Sequence, residues 1–476
     1  MKTRAVLLLV AIVAASSAAA EAASFDRKAW REDYSTLKRE LEQSYSHLAW
    51  AASPASGVDL PSLDRRTRLA LDAARSDADA AAALVSFVAA FHDGHFAPTV
   101  TPEPSGAGPE PPPRPADNEA SAACAAAGYS PATRIAFSLP FESLTGFRME
   151  SDGISRAFRS GTILVGERRA GLVRIPRFRP AEYPALCLAT WPALDEMDAA
   201  WLKALADRLA AFRAQHVDAV LVDVGGNGGG NDLGDWAARL FTSGDVRSAP
   251  LLMHAGPLGA KYMDEQLQGL NDALAAHRGD TKVEAVLRPA IDAFEWRRRE
   301  SLQQSCDLSW VWREQRRFDP TKCSGLIDAG FASGALSSLA PGSLARDAAS
   351  ALYWPSIADS MRGAWNGPVY LLTDSATASA AEMFAARMHD SGIARTVGVR
   401  TLGLGCGSMV ENAPFTLPHS HLSFRIPNCV RLRADGSDEV AGIAPDLPVL
   451  PAAKESARAR AARVLSVIGR ELSQVE

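Results

Sequence analysis

Apolar positions along the chain define its first elements. Trp30, Tyr34, Leu37, Leu41, Tyr45 and Leu48 recur at intervals of three and four residues, which is the stripe of one helix face. A second helix is predicted over Leu63 to Arg75. A third starts at Asp77, where acidic residues suit a helix N-terminus, and runs to about Phe91, with Gly94 placed to end it. Residues 24–96 therefore read as a helical module ending in His92-Asp93-Gly94-His95. A Pro/Gly-rich linker follows over 97–134. Short strands and turns over 135–193, among them Thr162 to Val165 and Leu172 to Ile175, form a small β-rich segment leading into a core.

From Leu194 the periodicity alternates. A helix to His216 carries Trp201, Leu205, Leu209 and Phe212 on one side. Val217 to Val224 is a strand whose last residues have the pattern of burial on both faces. Val369 to Leu372 is a strand followed by a helix over Ser379 to His389. Val397 to Val399 and Leu422 to Phe424 are further strands, and 452–476 is a terminal helix rich in Ala and Arg. Strands alternating with helices predict an α/β core over 194–451. An insertion of about 249–363 interrupts it, with a charged segment from Glu295 to Glu300 and Trp296, Trp310 and Trp312. It reads either as a lid or substrate-facing subdomain, or as a solvated decoration.

Composition is ordinary for a globular chain: 47% hydrophobic and 22% charged over 476 residues. A net charge of −5, with no basic stripe, gives no bulk attraction to nucleic acid or an anionic membrane. Lys2 and Arg4 precede an apolar run from Ala5 to Ala15 and then small residues, which is the pattern of a signal peptide over 1–23. The run is short for a membrane span of ~20 residues, so no stable span is expected after cleavage. The expected location is periplasmic or secreted. The six cysteines then invite disulfides. Short intervening loops pair Cys306 with Cys323 and Cys406 with Cys429 as a hypothesis. No cysteine spacing is that of a zinc site.

Two stretches carry candidate chemistry. Asp223-Val224-Gly225-Gly226-Asn227-Gly228-Gly229-Gly230 ends a buried strand in bare backbone that offers N–H groups to a ligand. It lacks the P-loop Lys-Ser/Thr and the dinucleotide spacing. An oxyanion hole fits it better, and a tight structural turn is the plain alternative. The second stretch runs from Val369 to Glu382 and places Ser379 where a strand turns into a helix. There the free N–H groups of the first turn favour negative charge. Ser379 is a nucleophile candidate, or an ordinary helix cap. A serine needs a base; the histidine candidates are His92, His95, His389, His419 and His421.

Together these blocks resemble the serine peptidase family of the C-terminal processing (tail-specific) proteases and the tricorn core protease. Asp93-Gly94-His95-Phe96 is similar to the histidine motif of the tricorn-like branch. Asp223 to Gly230 is similar to the family's glycine turn, with Gly225 where the family has arginine. Trp365 to Glu382 resembles the nucleophile block. Val397 to Gly405 and Glu439 to Asp446 match two further blocks in order. The lysine of the tail-specific branch is replaced by Leu404, which excludes a Ser-Lys dyad; Arg400 nearby is too basic to serve.

The resemblance implies a Clp protease/crotonase-like α/β core. It also implies Ser379 as nucleophile, His95 as base and Glu439 as the acid that orients the imidazole. The Ala380 N–H and a glycine N–H, Gly229 with Gly228 as neighbour, would form the oxyanion hole. Asp390 and Cys406 are competitors read as structural, Cys406 through a disulfide. The family's PDZ module has no complete counterpart in the short segment before the core. The expected activity is hydrolysis of peptides or unfolded protein through an acyl-enzyme, with no cofactor or metal. The alternatives are a ligand-binding protein of the same fold and an esterase.

Overall fold

The computed structural model describes residues 25–99, 135–190 and 196–474. The expected signal peptide and most of the 97–134 linker lie outside the described residues.

Helix α1 (Arg27–Ser44) starts where the Asp26 carboxylate accepts the Lys28 and Ala29 N–H groups, and it buries Trp30, Tyr34, Leu37 and Leu41. Helix α2 (Leu60–Ala73) is capped by Asp59, and α3 (Asp77–Ala89) by Ser76. Strand β1 (Ala97–Thr99) follows. The buried faces of these helices pack with Leu308, Val311, Trp312, Leu417, Phe424 and Ile426, so the module shares its core with later parts of the chain.

Strands β2 (Arg148–Asp152), β3 (Arg159–Val165) and β4 (Arg168–Arg174) do not stand apart. They continue the main sheet. Helix α4 (Met197–Ala214) leads to β5 (Ala219–Asp223). The insertion supplies β6 (Pro250–His254), α5 (Pro257–Ala276), α6 (Thr281–Gln303), β7 (Leu326–Phe331) and α7 (Arg346–Leu352). Next come β8 (Val369–Thr373), α8 (Ala380–Asp390) and β9 (Arg395–Gly398). The chain closes with β10 (Phe415–Thr416), β11 (Ser423–Arg425), β12 (Cys429–Arg431), β13 (Leu447–Pro448) and α9 (Ala457–Leu472).

The main sheet has seven strands in the order β13-β9-β8-β5-β4-β3-β2, parallel from β13 to β4 and antiparallel beyond. All five residues of β5 and of β8 are buried, because both faces of the sheet are covered. Val220 and Val222 face α4 and α8, while Ala219 and Leu221 face α9 and Phe141, as the period of two requires. The carboxyl ends of neighbouring strands β5 and β8 carry the glycine turn and Ser379, at the edge where open α/β sheets bind ligands.

The insertion is not a loose decoration. β6, β7 and β12 form a second sheet, and α5 and α6 pack on it around Met253, Tyr262, Leu287 and Phe294. Both hypothesised disulfides, Cys306–Cys323 and Cys406–Cys429, are present. Cys187 is disulfide-bonded as well.

Candidate functional site

The glycine turn is fastened at its root. Asp223 accepts from Ser138 N and Oγ (both 2.6 Å) and from Gly225 N (3.0 Å). Arg174, on β4, reaches Asp223 Oδ1 at 3.2 Å. The charge that the turn lacks at Gly225 thus comes from the adjacent strand. A Cβ at Gly225 would lie 2.5 Å from Ser138 Oγ, which accounts for the glycine.

Asn227 then joins this turn to the serine turn. Its carbonyl accepts the Ala378 N–H at 2.9 Å, and its Oδ1 accepts the Gly229 N–H at 2.8 Å. The expectation that Gly229 donates to an oxyanion is therefore corrected, because its N–H is already spent. Gly228 is exposed and does not line the cavity described below. The N–H groups of Ala380 and Gly230 meet no acceptor among the described residues, and both residues line that cavity. Gly229 matters through its shape. Its φ is +102°, and a Cβ would sit 2.7 Å from Ser379 Cβ and 3.0 Å from Ala380 N. Gly229→Ala is expected to lower kcat/KM by about 10²-fold by displacing Ser379, an effect read in steady-state kinetics beside a thermal melt.

Ser379 has φ 54° and ψ −118°, outside the left-handed helical well that a non-glycine residue ordinarily uses at positive φ. Such a conformation costs about 1–3 kcal/mol and persists only where its surroundings hold it. Here Glu382 does so. Its buried carboxylate accepts Ser379 N (2.9 Å), Thr401 Oγ1 (2.6 Å), Gly403 N (2.6 Å) and Leu404 N (2.9 Å). Burial pushes the Glu382 carboxyl above its usual range, even against the Thr401 hydroxyl. The Ser-x-x-Glu spacing is that of a capping box and was the available signal for this residue. Ser379 lines a cavity at the carboxyl edge of the sheet.

His95 lines the same cavity of roughly 660 Å³ as Ser379, Ala380, Gly230, Asp232, Trp354 and Arg431. No other histidine among the candidates does. His92 is exposed, His389 pairs with Asp390 and Asp446, the His419 N–H is held by Asp33, and His421 is exposed. The Asp93 carboxylate accepts the His95 N–H (2.8 Å) and the Tyr45 hydroxyl (2.9 Å), which sets the turn after α3. His95 Nδ1 lies 3.2 Å from the Leu404 carbonyl. A carbonyl only accepts, so Nδ1 carries the proton and Nε2 keeps its lone pair, the tautomer a general base needs.

Glu439 is not beside the imidazole. Its carboxylate is held by Arg431 in a bidentate pair, with Nε at 3.0 Å and Nη2 at 2.6 Å. Arg431 Nη2 also donates to the Gly405 carbonyl at 2.9 Å. Glu439 thus reaches the loop that faces His95 through the guanidinium. Asp390 is structural. Against its partial burial, Arg433 and His389 hold its carboxyl down at about 2. Cys406 is buried in its disulfide and is no nucleophile.

Burial lowers the His95 pKa from its ordinary value. Arg431 and His47 act in the same direction, and Asp93 opposes. Asp232, in the same cavity, is raised to about 6 by burial and by Asp235. A base must be neutral, so kcat/KM is expected to rise with pH and reach half its plateau below the ordinary histidine value of ~6.5. In Asp232→Asn the limb should persist as a single ionisation, still below ~6.5. A limb at or above ~7 in that variant would remove His95 as the titrating base.

Residues 313–449 match the family model of peptidase family S41. The matched stretch contains Ser379 and Glu439, whereas His95 and the glycine turn reach the cavity from outside it. Across the whole chain the fold is similar to that of mature CPAF, with a TM-score of 0.57 at 16% identity, covering 94% of this chain and 98% of that one. Mature CPAF complexed with lactacystin is similar to the same degree: TM-score 0.57, 15% identity, 94% and 99% coverage. No curated protein matches the chain. The family match on this fold makes the protein a serine-type peptidase. The similarity to peptidase family S41 is carried by residues 313–449.

Proposed function

We propose that Ser379 attacks the peptide carbonyl, that His95 takes its proton through Nε2 and returns it to the leaving amine, and that the Ala380 and Gly230 N–H groups receive the oxyanion. Water activated by His95 then releases the acyl group. Glu439 contributes by positioning, through Arg431, the loop that carries the Leu404 and Gly405 carbonyls. The observation that carries this reading is the strained Ser379 sharing one cavity with a histidine whose Nδ1 is already bound. The disulfides and the leader pattern support an exported peptidase acting on peptides or unfolded protein.

The test is fluorophosphonate labelling of the purified protein, location of the adduct by mass spectrometry, and cleavage of casein and a mixed peptide library. An adduct on Ser379 with peptide cleavage is expected. An adduct without peptide cleavage would favour an esterase. A folded protein that neither labels nor cleaves would favour a ligand-binding protein.

A further inference from the structure

His95 is held by a stretch of chain with no ladder of its own. Residues 401–408 are neither helix nor strand, so their path depends on ties to other elements. That stretch touches the imidazole at two places. The Leu404 carbonyl accepts the Nδ1–H hydrogen bond. Gly407 lies against the ring: a Cβ there would be 2.7 Å from Cδ2 and 2.9 Å from Nε2. Between these contacts stands Cys406, bonded to Cys429 of β12. β12 is a full member of the second sheet, with Cys429 opposite Met253 of β6.

Lesser ties surround the same point. Asn428 N donates to the Gly407 carbonyl at 3.0 Å, and Ser46 Oγ donates to the Cys429 carbonyl at 2.9 Å. His47 Nε2 donates to the Cys406 carbonyl at 3.0 Å while its Nδ1 meets Asp438 at 2.8 Å. Both ring nitrogens of His47 face acceptors. Despite burial, Asp438 raises its pKa to about 9, so it stands as an imidazolium. The disulfide is the covalent member of this set.

We propose that the Cys406–Cys429 disulfide is a positioning element of the active site, fixing the loop that grips His95 on two sides, and that without it the base is misplaced although the fold persists. This rests on the reading of His95 as general base. The second disulfide, Cys306–Cys323, joins the end of α6 to the segment before β7 and touches neither contact.

The experiment compares wild type, the double variant Cys406→Ala/Cys429→Ala, the control Cys306→Ala/Cys323→Ala, and Gly407→Ala, which keeps the disulfide and pushes on the ring. Peptide kcat and KM, the acid limb of kcat/KM, fluorophosphonate labelling rate, circular dichroism and melting are measured for each. Loss of the disulfide is expected to lower kcat by about 10²-fold with KM nearly constant. The acid limb is expected to move up toward ~6.5 as the imidazole gains water beside Asp93, Arg431 and His47. The control should keep both kcat and the limb. Gly407→Ala should lose kcat to a similar extent.

A folded double variant with the wild-type kcat and limb would overturn the proposal while leaving the peptidase reading intact. If the double variant unfolds, Gly407→Ala decides. A folded Gly407→Ala with unchanged kcat would mean that the loop does not hold the base. If wild type neither labels nor cleaves, the parent reading fails and this one with it.

Discussion

Replacing Ser379 by alanine is expected to lower kcat by about 10⁴–10⁶-fold, and His95→Ala by a comparable factor, with the double variant no worse than either alone. Groups that act in one proton-transfer sequence are lost together, because a serine without a base and a base without a serine are equally idle. The structure supports this coupling through shared restraints. Glu382 receives Ser379 N and Leu404 N on one carboxylate oxygen, and the Leu404 carbonyl receives His95 Nδ1. The measurement is single-turnover hydrolysis of one peptide by all three variants, each checked for an unchanged melt. Losses that multiply in the double variant would show that the two residues act separately.

Arg239→Met is expected to destabilise the fold by about 3–5 kcal/mol, or some 10²–10⁴-fold in the folding equilibrium, because it strands a buried carboxylate. Arg239 and Asp235 are both fully buried, and Arg239 Nη1 lies 2.9 Å from Asp235 Oδ2. The guanidinium also donates to Tyr353 Oη (2.5 Å), Ser248 Oγ (3.0 Å) and the Val246 carbonyl (3.2 Å). Ser248 and Ser333 donate to the same Asp235 oxygen and cannot neutralise it. Asp235 belongs to the short helix Leu233–Trp236 that follows the glycine turn, while Tyr353 and Ser333 come from the insertion. The pair therefore ties the site to the insertion. Urea unfolding reads the loss, and the paired replacement Asp235→Leu/Arg239→Met should recover much of it. A loss below ~1 kcal/mol for Arg239→Met would mean that Asp235 finds another counter-charge.

The secondary elements near the site were legible because each rests on local pattern. Apolar runs placed β5 and β8, and helix periodicity placed α1 and α4. The small-residue turn into α8 offered Ser379 as a candidate, and the resemblance of Asp93-Gly94-His95-Phe96 to a family motif singled out His95 among the candidate histidines. What failed depended on partners far along the chain. Glu439 could be carried over by resemblance, but nothing near it announces that Arg431, across a chain reversal, takes both its oxygens. Gly229 looked like a free donor until Asn227, two residues before it, folded back to take the N–H. The insertion, read as lid or decoration, has its own core because β12, from the chain beyond Ser379, completes its sheet.

The sequence by itself determined the α/β alternation, the serine turn and the histidine turn, since these follow from periodicity and turn chemistry, while the cysteine pairs were a hypothesis that the structure bears out. Only the tertiary structure decided which histidine shares a cavity with Ser379, which N–H groups there meet no acceptor among the described residues, and what holds the imidazole. β1 pairs with β11 across more than three hundred residues, and Leu404 reaches His95 over a similar span. Such contacts carry no local periodicity, because they are set by which buried surfaces and hydrogen-bonding groups close on one another when the whole chain packs.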